Sequence, residues 1–467
     1  MIKEKIEAYM EAHRQEMIED ICTLCRINSE KMPYKPGMPF GEGTFQALAE
    51  ALTMAEGYGF SVKNYDNYVG TADLNQGEHC LDILAHLDVV PAGEGWEGTE
   101  PFSPMLKDGK LYGRGTADDK GPAVAALYAM RAVKELGIPV TKNCRLILGT
   151  DEECGSSDIA HYYEEEAEAP MTFSPDGAFP VVNVEKGGLP GHFTREFPAS
   201  EALPKLISLE AGIKLNVVPG KANATVKGLD LSDLCDLART LEEETGAEFQ
   251  IKADEDVAWI TAVGKGAHAS TPEEGINALT ALLVLLTRLP LADCAQVEAL
   301  NDLLTLLPHG DVHGEALGVA MEDEVSGILT LAFSLLHVED GYLEGSFDIR
   351  CPICANEGNL LQPIKEKMGE KGFVLTNKTM KPPHYVDGNS VFVQTLLKTY
   401  EAYTGREGRC ESMGGGTYVH NLKNGVAFGA SMPGTDNRMH GADEFAVVEE
   451  LVTAAKIFAQ VIADLCK

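Results

Sequence analysis

The chain has 467 residues, 44% hydrophobic and 24% charged, with a formal net charge of -34. That length exceeds one ordinary core, so two or three domains are expected in a globular protein. The charge argues against nucleic acid as a partner, because backbone phosphates need clustered Lys and Arg.

Met1 to Arg26 is charged and helix-periodic, with apolar Ile2, Ile6, Tyr9, Met10, Met17 and Ile21, and lacks the apolar core of a signal peptide. The purest apolar run, Ala278 to Leu286, is too short to span a bilayer. Cysteines number 11, an odd count without a framework, which fits reduced thiols. A cytoplasmic protein without membrane attachment is therefore expected. Cys22/Cys25 and Cys351/Cys354 could be drawn as a structural zinc site, but the first pair marks one helix face and the second flanks a Pro.

Thr44 to Gly57 reads as a second helix. Phe60 to Val69 and Thr71 to Leu74 read as short strands, and Cys80 to His86 as an apolar strand with Asp88 just beyond it. Gly113 to Gly121 follows a polar loop and opens a helix over Pro122 to Leu136. Arg145 to Thr150 is a strand ending in Asp151-Glu152-Glu153. Met171 to Ser174 is another, ending in Pro175-Asp176-Gly177. This alternation predicts an α/β unit with a mostly parallel sheet, whose acidic and His residues follow strand carboxyl ends.

The texture changes near Glu185. Strand runs at Leu206 to Glu210, Lys221 to Val226, Val257 to Val263 and Gly341 to Arg350 mix with helices at Leu231 to Glu244 and Ile276 to Leu289. We expect an inserted α+β lid domain over 187–383, with a catalytic domain over 1–186 and 384–467. The returning segment carries a helix over Ser390 to Thr404, the Gly414 to Gly416 loop, a strand over Val426 to Ala430, His440, and a last helix from about Glu444 to Leu465.

Asp118 and Asp119, adjacent at a helix start, are costly unless something positive neutralises them. A helix N-terminus supplies only partial charge, and a metal ion supplies far more. Singly, His86, Asp88, Asp118, Asp119, Glu152, Glu153, Asp176 and His440 all have bland readings as loop or capping residues. Jointly they set two imidazoles and several carboxylates along one sheet edge, a donor mixture suited to Zn²⁺, Mn²⁺ or Co²⁺.

His86-Leu87-Asp88, the Gly113 to Gly121 stretch, Thr150-Asp151-Glu152-Glu153, Pro175-Asp176-Gly177 and Met439-His440-Gly441-Ala442-Asp443-Glu444 occur in this order. They resemble the di-zinc metallopeptidase family of aminoacylase, carboxypeptidase G and succinyl-diaminopimelate desuccinylase. Leu215 to Gly220, Gly264 to Pro272 and Gly414 to Tyr418 look most like its bacterial dipeptidase V (Xaa-His dipeptidase) type. The resemblance implies a zinc-peptidase-like catalytic domain with His86, Glu153, Asp176 and His440 as metal ligands. It also implies Asp118 bridging two Zn²⁺ ions (Mn²⁺ or Co²⁺ as alternatives), Asp88 orienting the His86 imidazole, and Glu152 as general base. His268 would be the lid histidine serving the oxyanion, and Asn216, Arg350, Gly414, Gly415 and Gly416 would bind substrate. Asp119 is expected to support the loop and helix start. Cys154 and Tyr418-Val419-His420 depart from the family's usual residues, and the latter leaves the side-chain preference open.

The reading that follows is a metallodipeptidase acting on unblocked dipeptides as small-molecule substrates. An N-acyl or N-succinyl amino acid amidohydrolase of the same fold is the alternative. The long inserted domain, able to stand in for a partner subunit, leads us to expect a monomer.

Overall fold

The computed structural model describes residues 2–467. The chain divides into two compact units, one made of Met1–Val184, Tyr385–Glu411 and Gly416–Lys467, the other of Glu185–His384 and Ser412–Gly415.

In the first unit, helices α1 (Ile2–Cys25) and α2 (Glu42–Gly57) precede strands β1 (Ser61–Tyr65), β2 (Val69–Asp73) and β3 (His79–His86). Short strands β4 (Met105–Lys107) and β5 (Lys110–Tyr112) lead to α3 (Lys120–Glu135). Then come β6 (Asn143–Gly149), α4 (Ser157–Glu165) and β7 (Met171–Ser174). The central sheet runs β1-β2-β6-β3-β7, then Gly425–Ala427 and Val181–Glu185. Its middle is parallel, with β3 between β6 and β7 and Gly425–Ala427 beside β7. The β1-β2-β6 side is antiparallel. Parallel strands covered on both faces read as near-continuous apolar runs, and β3 is buried from Cys80 to His86. Helix α3 is buried from Lys120 to Val133, packed against α1 and the final helix Val448–Leu465.

Three expectations are corrected here. The break between the first strands falls at Asp66 and Asn67, both at positive φ, and not at Gly70. The run Val426 to Ala430 is split at Gly429 (φ 83°), where a Cβ would stand 2.5 Å from the Phe179 ring. The last helix begins at Val448, because Phe445–Val447 is a strand paired with β5.

The second unit is built on an antiparallel eight-stranded sheet. Its order is Glu248–Asp254, Val257–Val263, Lys221–Lys227, Lys205–Ala211, Thr330–Glu339, Tyr342–Cys351, Gly187–Glu196 and Val374–Leu375. Helix Leu231–Thr245 starts on an Asp230 side-chain cap and ends at Gly246 in the left-handed region. Helix Ala278–Arg288 is capped by Asn277 and buries almost every residue against the sheet.

Candidate metal centre

Topology brings the acidic and His residues of the first unit to one edge. His86 is the last residue of β3. Glu152 and Glu153 lie on the 3₁₀ turn after β6, Asp176 follows β7, and Asp118 sits just before α3. His440 comes from the returning segment, at φ 62°. His86 Nε2 stands 3.0 Å from Asp118 Oδ1 and 3.6 Å from Asp176 Oδ2. His440 Nε2 stands 2.9 Å from Asp118 Oδ2 and 3.4 Å from Glu153 Oε2. The two oxygens of Asp118 therefore serve different imidazoles. Ligand atoms of His86, Asp118 and Glu153 lie within 4.8 Å of one another, as do those of His86, Glu152 and Asp176.

The electrostatics show an unbalanced cluster. Burial, then the charge of Asp176, pushes the Glu152 carboxyl up to about 9. Burial is also the first cause of the raised Glu153 and Asp176 pKa values, with Asp118 adding repulsion. Burial works against a charged His86, yet Asp118, Asp176 and Asp88 hold its pKa well above the ordinary value. Hydrogen bonds to Asp118 and Glu153 raise His440 to about 10. Glu153 Oε1 and Asp119 Oδ1 are buried without a hydrogen-bond partner. Buried charge of one sign, orphaned carboxylate oxygens and imidazole nitrogens are what a divalent-cation site needs. Two divalent ions would balance the carboxylates of Asp118, Glu152, Glu153 and Asp176 with both imidazoles neutral, so the residues fit the group.

The surroundings specify one expected role and correct another. The Nδ1 of His86 lies 3.0 Å from the main-chain carbonyl of Asp88, with the Asp88 carboxylate farther away at 3.4 Å. A carbonyl only accepts, so Nδ1 carries the proton in the neutral ring and Nε2 keeps its lone pair for the cluster. The Asp88 carboxylate also accepts the N–H groups of Glu152 at 3.2 Å and Glu153 at 3.1 Å, and so fixes the turn that carries both. Asp119 makes no side-chain cap on α3, and its Oδ2 accepts the His86 N–H at 3.1 Å. It holds the end of β3 and not the helix start.

Other braces escaped sequence reasoning. Glu444 Oε1 accepts N–H groups from Gly115, Ala117 and Asp118, while Oε2 pairs with the buried Arg114. Asp158 Oδ2 accepts the N–H groups of Thr150 and Asp151 and the Tyr418 hydroxyl. Tyr418 is thus a buried structural residue, packed so closely that a Cβ on Gly149 would stand 2.0 Å from its hydroxyl. The only signal for Glu444 was its place in the Met439 to Glu444 stretch, and spacing gave it no role.

The second unit holds its own group. His268 pairs with Val217 across a two-stranded ribbon, and Ser270 donates its N–H to His268 Nδ1 at 3.2 Å. The neutral ring therefore carries its proton on Nε2. Burial and then the positive charge of Arg350 lower the His268 pKa, which favours that neutral form. Arg350 donates from Nε and Nη2 to Asp348 and from Nη1 to the Gly414 carbonyl at 2.9 Å. Gly414 was expected to offer its N–H to substrate, and here its carbonyl serves Arg350. A Cβ there would stand 2.7 Å from Ser270 Cβ, so only glycine allows this approach. One N–H on each of Nη1 and Nη2 of Arg350 remains for a ligand. Asn216 is exposed and its carbonyl accepts the Ala269 N–H.

Among the described residues, no helix is long and apolar enough to cross a membrane. Comparison with known proteins places the chain. The Bacillus subtilis (strain 168) protein YtjP is 35% identical over 465 residues, covering 97% of this chain and 98% of that one. The Beta-Ala-Xaa dipeptidase of Lactobacillus delbrueckii subsp. lactis is 34% identical over 468 residues, covering 98% and 97%. The crystal structure of human carnosine dipeptidase 1 matches with a TM-score of 0.60 at 16% identity, covering 100% of this chain and 99% of that one. Aminopeptidase PepT from Bacillus cereus ATCC 10987 matches at 0.56 and 16%, covering 97% and 99%. At such identities the structures speak to the fold alone, an α/β unit with an inserted α+β unit. The family described as Peptidase family M20/M25/M40 matches over residues 83–464, and with relatives above 30% identity along nearly the whole chain, this protein belongs to that family of peptidases.

Proposed function

We propose that this protein is a metal-dependent dipeptidase that hydrolyses unblocked dipeptides with Glu152 as general base. The observation that carries the reading is Asp118, whose oxygens are divided between His86 and His440 inside a cluster of buried, underbalanced carboxylates. The 34% identity to a protein named Beta-Ala-Xaa dipeptidase supports the substrate class. We assign His86, Asp118 and Asp176 to one divalent ion and His440, Asp118 and Glu153 to a second, with Zn²⁺ preferred for this donor set and Mn²⁺ or Co²⁺ able to replace it. Divalent ions held there would polarise the scissile carbonyl and lower the pKa of the attacking water.

The chain's own residues supply the rest. Glu152, as carboxylate, takes a proton from the attacking water and delivers it to the nitrogen of the leaving amino acid as the C–N bond breaks. Asp88 fixes the Glu152–Glu153 turn, so that adjacent carboxylates hold different tasks. His268, neutral with its proton on Nε2, is the donor assigned to the developing oxyanion. The free N–H groups of Arg350, with Asn216 and the Gly414 to Gly416 loop, are assigned to the substrate's C-terminal carboxylate. A free α-amino group suits the acidic cluster.

The test is a substrate panel run on chelated and reloaded enzyme. Chelation should abolish activity, and Zn²⁺, Mn²⁺ or Co²⁺ should restore it. Unblocked dipeptides should be cleaved, and N-acetylated dipeptides poorly. Full activity at nil metal content would overturn the metal dependence. Faster hydrolysis of N-succinyl or N-acetyl amino acids than of any dipeptide would establish the amidohydrolase alternative instead.

A further inference from the structure

Two loops far apart in sequence supply Asp118 and His440, and one buried side chain joins them. Glu444 lies four residues after His440 in the same returning turn and is 0% exposed. Its Oε1 accepts N–H groups from Gly115 at 3.0 Å, Ala117 at 3.1 Å and Asp118 at 3.3 Å. Its own carbonyl accepts the Gly113 N–H at 2.9 Å. Its Oε2 pairs with Arg114, 1% exposed, whose Nη2 reaches the carbonyls of Pro91 and Ala92. Its neighbour Asp443 accepts the N–H groups of Glu97 and Gly98 at 3.0 and 2.8 Å. The segment bearing His440 is therefore fastened to the backbone that bears Asp118, and to the loop beside it.

We propose that Glu444 is a positioning residue that sets Asp118 and His440 in register for metal before any metal arrives. Three amides converging on one carboxylate oxygen fix the backbone entering Asp118, and so fix which imidazole each of its oxygens faces. Arg114 neutralises the buried charge, so that Glu444 does not join the ligand cluster as a further unpaired carboxylate. The acceptor oxygen does the positioning, and the charge pair makes that oxygen tolerable in a buried place. The inference rests on the metal-dependent reading of the site.

Two double variants separate these parts. Arg114→Met with Glu444→Gln removes both charges and keeps an acceptor oxygen. Arg114→Met with Glu444→Leu removes the acceptor as well. Replacing a buried ion pair by apolar groups of similar volume is often neutral for folding. Zn²⁺ affinity is read by competition with a chelating dye, and folding by melting temperature. The Gln variant should bind within about threefold of wild type, and the Leu variant about 10- to 100-fold more weakly, the usual cost of losing a partner that orients a ligand. Equal Zn²⁺ affinity of a folded Leu variant and wild type would overturn the proposal, because a packing role alters melting without altering affinity.

A second measurement needs no variant. In the metal-free full-length protein, the amides of Gly115, Ala117 and Asp118 should exchange with solvent at least about tenfold slower than unprotected amides. Free exchange there, with α3 protected, would equally overturn it. Wild type that takes up no Zn²⁺ while these amides stay protected would sink the metal reading and leave the loop-fastening role of Glu444 standing.

Discussion

Two sets of buried carboxylates lie within the first unit, and they are treated in opposite ways. Asp158 and Glu444 are each surrounded by donors. Asp158 accepts N–H groups from Thr150, Asp151 and Ile159 and the Tyr418 hydroxyl, and Glu444 accepts three amides and Arg114. Glu152, Glu153 and Asp176 cluster with Asp118 around two imidazoles, His86 and His440, and have no amide or guanidinium donor on their carboxylates. Burial raises both sets; donors offset it at Asp158 and Glu444, each raised to about 7, whereas Glu152, whose carboxylate accepts no hydrogen bond, reaches about 9. Burial alone is therefore no mark of function. A buried carboxylate with its oxygens satisfied holds loops in place, and one crowded by other carboxylates is stabilised by a cation.

The sharpest way to break this division is to change the two glutamates of the underbalanced set one at a time. Glu152→Gln should lower kcat about 10²–10⁴-fold, the usual cost of losing a general base, with metal content unchanged. Glu153→Gln should instead lose metal, and the reverse pattern in metal analysis would mean that the two roles are exchanged.

A subtler separation uses pH. In the metal-free protein the folded pKa of Glu152 is raised from 4.5 to about 9, and that of His440 from 6.5 to about 10. Glu153, Asp176 and His86 are raised as well. Through these groups the folded state binds more protons than the unfolded state across roughly pH 5 to 10, with buried Lys120, lowered to about 8, opposing them above pH 8. The stability these groups contribute is fully present below their unfolded values and is lost as pH rises through the folded ones. Melting of the metal-free protein should fall across that window, by about 1.4 kcal/mol per pH unit for each excess proton. Saturating Zn²⁺ should flatten the curve, because binding releases the same protons. A metal-free melting temperature that climbs over that range would contradict the electrostatic half of the comparison.

The smallest effect belongs to the satisfied set. Asp158→Asn turns one acceptor oxygen into a donor facing donors, and should cost about 1–3 kcal/mol of stability by denaturant titration. Activity per folded molecule should stay within a few-fold of wild type. A loss matching that of Glu152→Gln, in protein that is still folded, would place Asp158 with the catalytic set.

Much of the site was legible because its chemistry is local. A strand-end histidine, an Asp-Asp pair before an apolar helix and a Glu-Glu pair after a strand each state their residue types where they stand. The β3, β6 and β7 runs were legible for the same reason, since parallel strands covered on both faces are written as apolar runs. The second unit was read less fully. Gly187–Glu196 carries three glycines and a proline and does not read as a strand, yet it pairs with Tyr342–Cys351 along its whole length. Gly191 is required there because a Cβ would stand 2.2 Å from the Phe347 ring. Thr330–Glu339 is mostly apolar without a clean alternation, and a long apolar run does not distinguish strand from helix.

By itself, then, the sequence determined which residues carry charge and imidazole, the α/β character of the unit that holds them, and the family to which they point. Tertiary structure alone decided that Asp88 offers His86 its carbonyl and keeps its carboxylate for the Glu152–Glu153 turn, that Asp119 holds β3, and that Glu444 fastens the loop of Asp118. A residue's type states what it can donate or accept. Which partner it meets depends on strand ends, turns and loops, up to 329 residues apart for Glu444 and Gly115, being brought within about 3 Å, and residue type alone does not record that.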